Sequence, residues 1–124
     1  MPRFVILEHD HPQRHWDFFL EAGQVLRAWR LAEPPHPGRP IAATATPDHR
    51  LLYLDYEGPV SGNRGQVVRW DRGEFEWQVN GLDTVVVRLC GGRTRGSAVL
   101  TRTAEGAWEF TLRPDPGIPG QPSD

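Results

Sequence analysis

The sequence predicts an all-β chain: a compact single-domain β-barrel of roughly eight short, mostly antiparallel strands with at most one or two short helical turns. Three observations carry this. Glycine and proline, 13 and 12 of the 124 residues, punctuate the chain at short intervals. Between them lie short runs rich in Val, Leu, Trp, Phe and Tyr. No segment sustains a helical period. Many short strands in one small domain favour closure, because closure removes exposed strand edges.

The elements follow in order. Arg3 to Glu8 reads as a strand, then His15 to Glu21, whose residues alternate. Between them, Asp10 to Gln13 is the right length for one helical turn. Ala22-Gly23 turns the chain into Gln24 to Leu31. Glu33 to Pro40 is a proline-rich loop. Ile41 to Ala45 and Arg50 to Tyr56 are candidate strands, and Ser61 to Gly65 is a loop. Gln66 to Asp71, Glu74 to Val79, Thr84 to Leu89, Ser97 to Thr103 and Trp108 to Leu112 complete the set. Asp71-Arg72-Gly73, Asn80-Gly81 and Glu105-Gly106 read as turns. The barrel is expected over residues 1–113. Residues 114–124, with four prolines and two glycines, read as a disordered tail.

Composition narrows the setting. The single cysteine, Cys90, cannot form an internal disulfide, which fits a reducing cytoplasm. No apolar run reaches membrane-spanning length, so no membrane partner is expected. Net charge is −2, so the molecule is not globally basic. All 14 basic residues are arginine, whose planar fork suits phosphate, although a GC-rich genome gives the same bias.

The chemistry concentrates in Glu8 to Asp17. In a strand over 15–21, His15 and Asp17 share one face with Phe19 and Glu21, while Trp16, Phe18 and Leu20 face the core. Side chains at i and i+2 can hold one metal ion, and His9 on the neighbouring strand can supply a third ligand. Two imidazoles and a carboxylate suit Mn, Fe or Zn. The bland alternative is a group of solvated histidines near a turn. His11, beside Pro12, reads as a loop residue. Downstream, His49 and Tyr53 share strand parity and can donate to phosphate oxygens. Arg93, Arg95 and Arg102 lie in a stretch without acidic residues that can track a nucleic-acid backbone, or simply form a solvated hairpin.

These motifs together resemble the 3′-end-processing phosphoesterase domain of bacterial ligase D. The run His9-Asp10, His15-Trp16-Asp17-Phe18 and Leu20-Glu21 resembles its opening motif. Val25-Leu26-Arg27-Ala28-Trp29 is similar to the hairpin continuation. Asp48-His49, Tyr53 and Glu57-Gly58, then Trp70-Asp71-Arg72-Gly73, then Gly96 to Thr103, follow in register. The resemblance runs from about residue 4 to 112. It implies a β-barrel with a Mn²⁺ site (Zn²⁺ or another divalent ion being the alternative) on one surface. It also implies trimming of DNA or DNA–RNA 3′ ends in end-joining repair. His9, His15 and Asp17 match the metal ligands, and His49 and Tyr53 the phosphate-contacting pair.

Three positions depart from the family pattern. Phe19 and Ile41 stand where the family has arginines, and Pro47 where it has an acid. Arg39 is the nearest candidate for the missing clamp. The expected function is a metal-dependent 3′-phosphodiesterase more than a phosphomonoesterase, acting as a monomer beside a repair polymerase or ligase. The alternative is a degenerate barrel that binds DNA ends or repair partners. A third reading takes His15, Asp17 and His49 as the facial triad of a non-haem iron oxygenase.

Overall fold

Phe4, Val5, Ile6 and Leu7 are all buried, so the first strand is covered on both faces. A strand that faced water on one side would alternate. The reason is visible in the computed structural model of the protein, which describes residues 1–116. Nine strands form: β1 (Arg3–His9), β2 (His15–Ala22), β3 (Val25–Leu31), β4 (Ile41–Arg50), β5 (Gly58–Pro59), β6 (Gln66–Asn80), β7 (Thr84–Gly91), β8 (Arg95–Ala104) and β9 (Ala107–Pro114). Eight of them close an antiparallel barrel in the order β1-β2-β3-β4-β9-β8-β7-β6, with β6 returning to β1. The two-residue β5 pairs with β6.

The barrel interior takes Phe4, Ile6, Phe18, Leu20, Trp29 and Phe110 among others. A second apolar cluster lies outside it, against β1–β3: Val5, Leu7, Phe19, Leu26, Ala28, Leu54 and Val67, flanked by Tyr53 and Tyr56. The segment after β4 folds over this outer face. Losing one of the large buried aromatics costs roughly 3–5 kcal/mol.

Several expected boundaries move. Arg50 to Tyr56 is not a strand: β4 runs on to Arg50, and Leu51–Leu54 forms a 3₁₀ turn. Such a turn brings residues i and i+3 to one side. Leu51 and Leu54 thereby both reach the outer cluster, which the alternating pattern disguised. Asp71-Arg72-Gly73 is not a turn either. It lies inside the 15-residue β6 and pairs with Ile6, Val5 and Phe4. Gly73 is there for close approach: a Cβ on it would stand 2.0 Å from the Cys90 carbonyl oxygen. The Asp10–Gln13 segment is a bend, not a helical turn. Its start is drawn to β6, where the Gln66 N–H donates to the Asp10 carboxylate at 2.8 Å. At the C-terminus β9 extends through Pro114, and the Asp115 N–H donates to the Arg95 carbonyl at 3.0 Å. The rest of the expected tail, 117–124, lies outside the described residues.

Two surface carboxylates tie the outer layer down. Asp55, just past the 3₁₀ turn, is bound by Arg3 of β1 at 3.1 Å. That contact holds its carboxyl below the ordinary value of 3.8. The bond from the Gln66 N–H does the same for Asp10. Carboxyls with folded values depressed this way stabilise the fold above the unfolded pKa, and that support drains as pH falls through the folded value. Acid destabilisation should therefore steepen below about pH 4. Urea unfolding at pH 5 and pH 3 checks this: Asp55→Asn should lose less stability between the two than the wild type. An equal loss would show that the Arg3 pair contributes nothing.

Candidate metal centre and phosphate cleft

Antiparallel register stacks the outer-face residues in rows. His9 faces His15 across β1 and β2. Leu7, Asp17, Arg30 and Thr44 make the next row across β1 to β4. Phe19, Ala28 and Thr46 make the one after, and Leu26 faces His49 beyond it. Side chains opposite one another in such rows stand about 5 Å apart at Cβ.

One donor set results. His9, His15 and Asp17 bring a ligand atom each to within 4.8 Å of one another. His9 Nδ1 is 3.6 Å from Asp17 Oδ2, and His15 Nε2 is 3.2 Å from Asp17 Oδ1. The outer nitrogen of each ring is committed elsewhere. His15 Nδ1 lies 2.9 Å from the Gln13 carbonyl oxygen, and His9 Nε2 lies 2.8 Å from that of Arg64. A carbonyl only accepts, so both nitrogens must carry the proton. In neutral rings the inner nitrogens then turn lone pairs toward a carboxylate. A divalent cation placed between them would be shared by all three. Imidazoles oriented by backbone carbonyls and a neighbouring carboxylate are the usual surroundings of a transition metal. The residues fit a divalent ion. The converging set includes His9 and not His49, so the facial triad of the oxygenase reading does not form.

Beside this set opens a cleft of about 510 Å³, lined by His9, Asp17, Phe19, Arg30, His49, Tyr53 and Arg64 among others. His49 donates from Nδ1 to the Pro47 carbonyl at 2.7 Å, which fixes the ring. The Phe19 ring, 2% exposed, packs against both partners of the pair: its centroid is 4.8 Å from that of His49 and 6.1 Å from that of Tyr53. Phe19 thus fills the floor of the cleft with hydrocarbon and props up His49 and Tyr53. The outer face of β2 carries both kinds of side chain, as parity places Phe19 beside His15 and Asp17. It changes from ligands to apolar packing between Asp17 and Phe19.

The loop before β6 completes the site. Arg64 orients His9 through its carbonyl and lines the cleft, its guanidinium braced at 2.6 Å on the Ser61 carbonyl. Gly65 follows at φ +73°, and a Cβ there would stand 2.2 Å from Asp10 Oδ1. The loop can approach the ligand hairpin only because that position has no side chain.

Arg39 is not brought into the cleft. It ion-pairs with Glu33 inside the proline-rich loop. Arg30 lines the cleft instead. The β2–β3 turn at Gly23-Gln24 pairs Ala22 with Val25, and the same register carried outward puts Arg30 opposite Asp17. That signal was present in the sequence. Arg64 and the backbone carbonyls had none, since they depend on barrel closure. Arg93 and Arg95 lie away from the cleft and line a hollow with Trp70, over whose ring the Arg93 guanidinium sits at 4.8 Å. Arg102 is paired with Asp83. His11 lines the cleft but stands outside the converging set. Among the described residues, no helix is long and apolar enough to cross a membrane.

Residues 7–113 match the family model described as the DNA ligase D 3′-phosphoesterase domain. The chain is 34% identical over 114 residues to the multifunctional non-homologous end joining DNA repair protein LigD of Mycobacterium tuberculosis. That match covers 85% of this chain and 15% of the relative. The Pseudomonas aeruginosa multifunctional non-homologous end joining protein LigD is 34% identical over 78 residues, covering 59% of this chain and 9% of the relative. The Mycolicibacterium smegmatis protein of that name is 28% identical over 122 residues, covering 86% and 16%. The chain therefore spans a small part of the length of these relatives.

Proposed function

Because the chain belongs to the DNA ligase D 3′-phosphoesterase domain family, we propose that it is a metal-dependent phosphodiesterase that trims the 3′ ends of DNA or DNA–RNA strands during end joining. The observation that carries the reading is the convergence of two oriented imidazoles and one carboxylate at the mouth of an arginine-lined cleft. His9, His15 and Asp17 hold a divalent ion, Mn²⁺ or Zn²⁺. When bound, it supplies charge stabilisation at a phosphate oxygen and activates water. His49 and Tyr53 hold non-bridging oxygens, and Arg30 adds a cation on the Asp17 side. Water attacks phosphorus, the bond from phosphorus to the terminal nucleoside oxygen breaks, and that oxygen takes up a proton. The shortened strand keeps the phosphate. A nearby repair polymerase or ligase would use such an end.

The test is a labelled primer–template ending in one ribonucleotide, incubated with the metal-stripped protein and then with added Mn²⁺. Metal-dependent shortening to a 3′-phosphate end is expected. Shortening that is unaffected by stripping would overturn metal dependence. Phe19 favours a second reading, end binding without turnover, because its buried ring cannot donate to phosphate. In that case the same primer would bind and stay intact.

A further inference from the structure

Arg30 borders two hollows. One is the cleft; the other is a groove of about 280 Å³ on its far side, rimmed by Pro12 and Arg14 and floored by Ala32, Ala42 and Thr44. The floor is made of small side chains on the outer face of β4 and just past the end of β3, so an extended chain can lie against the sheet. Arg14 at the rim is ion-paired with Glu8, whereas Arg30 has no ion-pair partner among the described residues. Glu109 stands cross-strand from Ala42 and is exposed, so negative charge closes the outer end. The path thus runs from a free cation at the ligand hairpin, along a shallow neutral floor, to an acidic stop.

We propose that this groove holds the strand leading to the processed end, with Arg30 gripping the phosphate at the junction. The inference rests on the nucleic-acid reading above and deepens it. The groove takes the one or two nucleotides preceding the scissile phosphate; beyond them Glu109 repels the backbone. Arg30 thereby serves in place of an arginine at position 19, approaching the phosphate from the wall of the cleft instead of its floor.

The experiment measures binding of inorganic phosphate and of 3′-phosphorylated single strands of two and four nucleotides, with Mn²⁺ present, to the wild type, Ala42→Trp and Arg30→Ala. Ala42 is exposed, and an indole there fills the groove; because His15 also lines the groove, Mn²⁺ affinity is measured alongside and should match the wild type. In the wild type, affinity should rise from phosphate to the dinucleotide and then level off. Ala42→Trp should keep the phosphate affinity and lose the rise. Arg30→Ala should weaken every ligand about tenfold, as losing one charge-assisted bond does. It should also flatten the plot of log affinity against log salt by about 0.7, one phosphate contact on a single strand. A rise that survives in Ala42→Trp overturns the groove, as does a wild type that binds phosphate and both strands alike or binds none of them. Turnover is read separately on the primer–template. If the wild type leaves it intact while Ala42→Trp still abolishes the length gain, the enzymatic reading falls and the groove stands.

Discussion

Asp17→Ala is expected to abolish metal-dependent end processing while leaving the barrel folded. Asp17 is the one member of the converging set that both imidazoles face, at 3.6 and 3.2 Å. Its removal leaves two neutral nitrogens with no anion to balance a divalent charge. Removing a group that only orients a ligand typically costs 10–100-fold in metal affinity or activity. Loss of the shared carboxylate should exceed that. Stability should change little, because the Asp17 carboxylate reaches the two rings only at 3.2 and 3.6 Å. Two measurements decide the matter: Mn²⁺ affinity by calorimetry and the urea midpoint without metal. A variant that keeps its Mn²⁺ affinity would remove Asp17 from the ligand set. A variant that loses more than about 3 kcal/mol without metal would show that Asp17 holds the fold together, since losses of that size mark a structural role.

Asp71→Ala should carry the largest stability cost of any polar substitution. The carboxylate is 6% exposed and organises the β7–β8 connection. Oδ1 accepts from the Gly92 and Arg93 N–H groups at 2.9 and 3.0 Å. Oδ2 accepts from the Thr94 N–H at 2.8 Å and from its hydroxyl at 2.6 Å. Gly92 and Arg93 are exposed, and water can replace the acceptor for them. Thr94 is 1% exposed and has no such recourse. Two charge-assisted bonds to a buried residue, at about 1.5 kcal/mol each, give a loss of about 3 kcal/mol. Asp71→Asn should rescue it only in part, because its one oxygen can serve Thr94 while its NH₂ faces the Gly92 and Arg93 donors. Gly91 leaves the room this requires: a Cβ there would stand 2.4 Å from Asp71 Oδ2. Denaturant midpoints measure the effect, and a loss under about 0.5 kcal/mol, the range of ordinary surface changes, would mean water serves Thr94 after all.

The ligand hairpin was legible because it is local. Period-two alternation puts His15 and Asp17 on one face, and His9 is its antiparallel neighbour. The all-β class and most strand positions were legible for the same reason, through alternation and turn residues. Features that depend on distant packing were not. The outer cluster buries Phe19 and bends Leu51–Leu54 into a turn only because β1–β3 already present apolar residues outward. Trp70-Asp71-Arg72-Gly73 carries turn residues, but Asp71 there serves the β7–β8 connection and Gly73 a close strand approach. Arg39 was proposed by nearness in sequence, whereas Arg30 is near through register.

The wall between β4 and β9 is short, with register pairs only from Ile41 to Ala43. Past that point β4 runs on to Arg50 paired with β3 alone. Amide hydrogens over Thr44–Arg50 therefore report a different clock from those of β1 and β2, each of which has a partner strand on both sides. Exchange should be fastest along this half-supported stretch, through local openings that leave the remaining barrel intact. His49 rides on that stretch and the three converging ligands do not. The His49 edge of the cleft can thus breathe while the hairpin of His9, His15 and Asp17 stays fixed, so the cleft loosens from one side only.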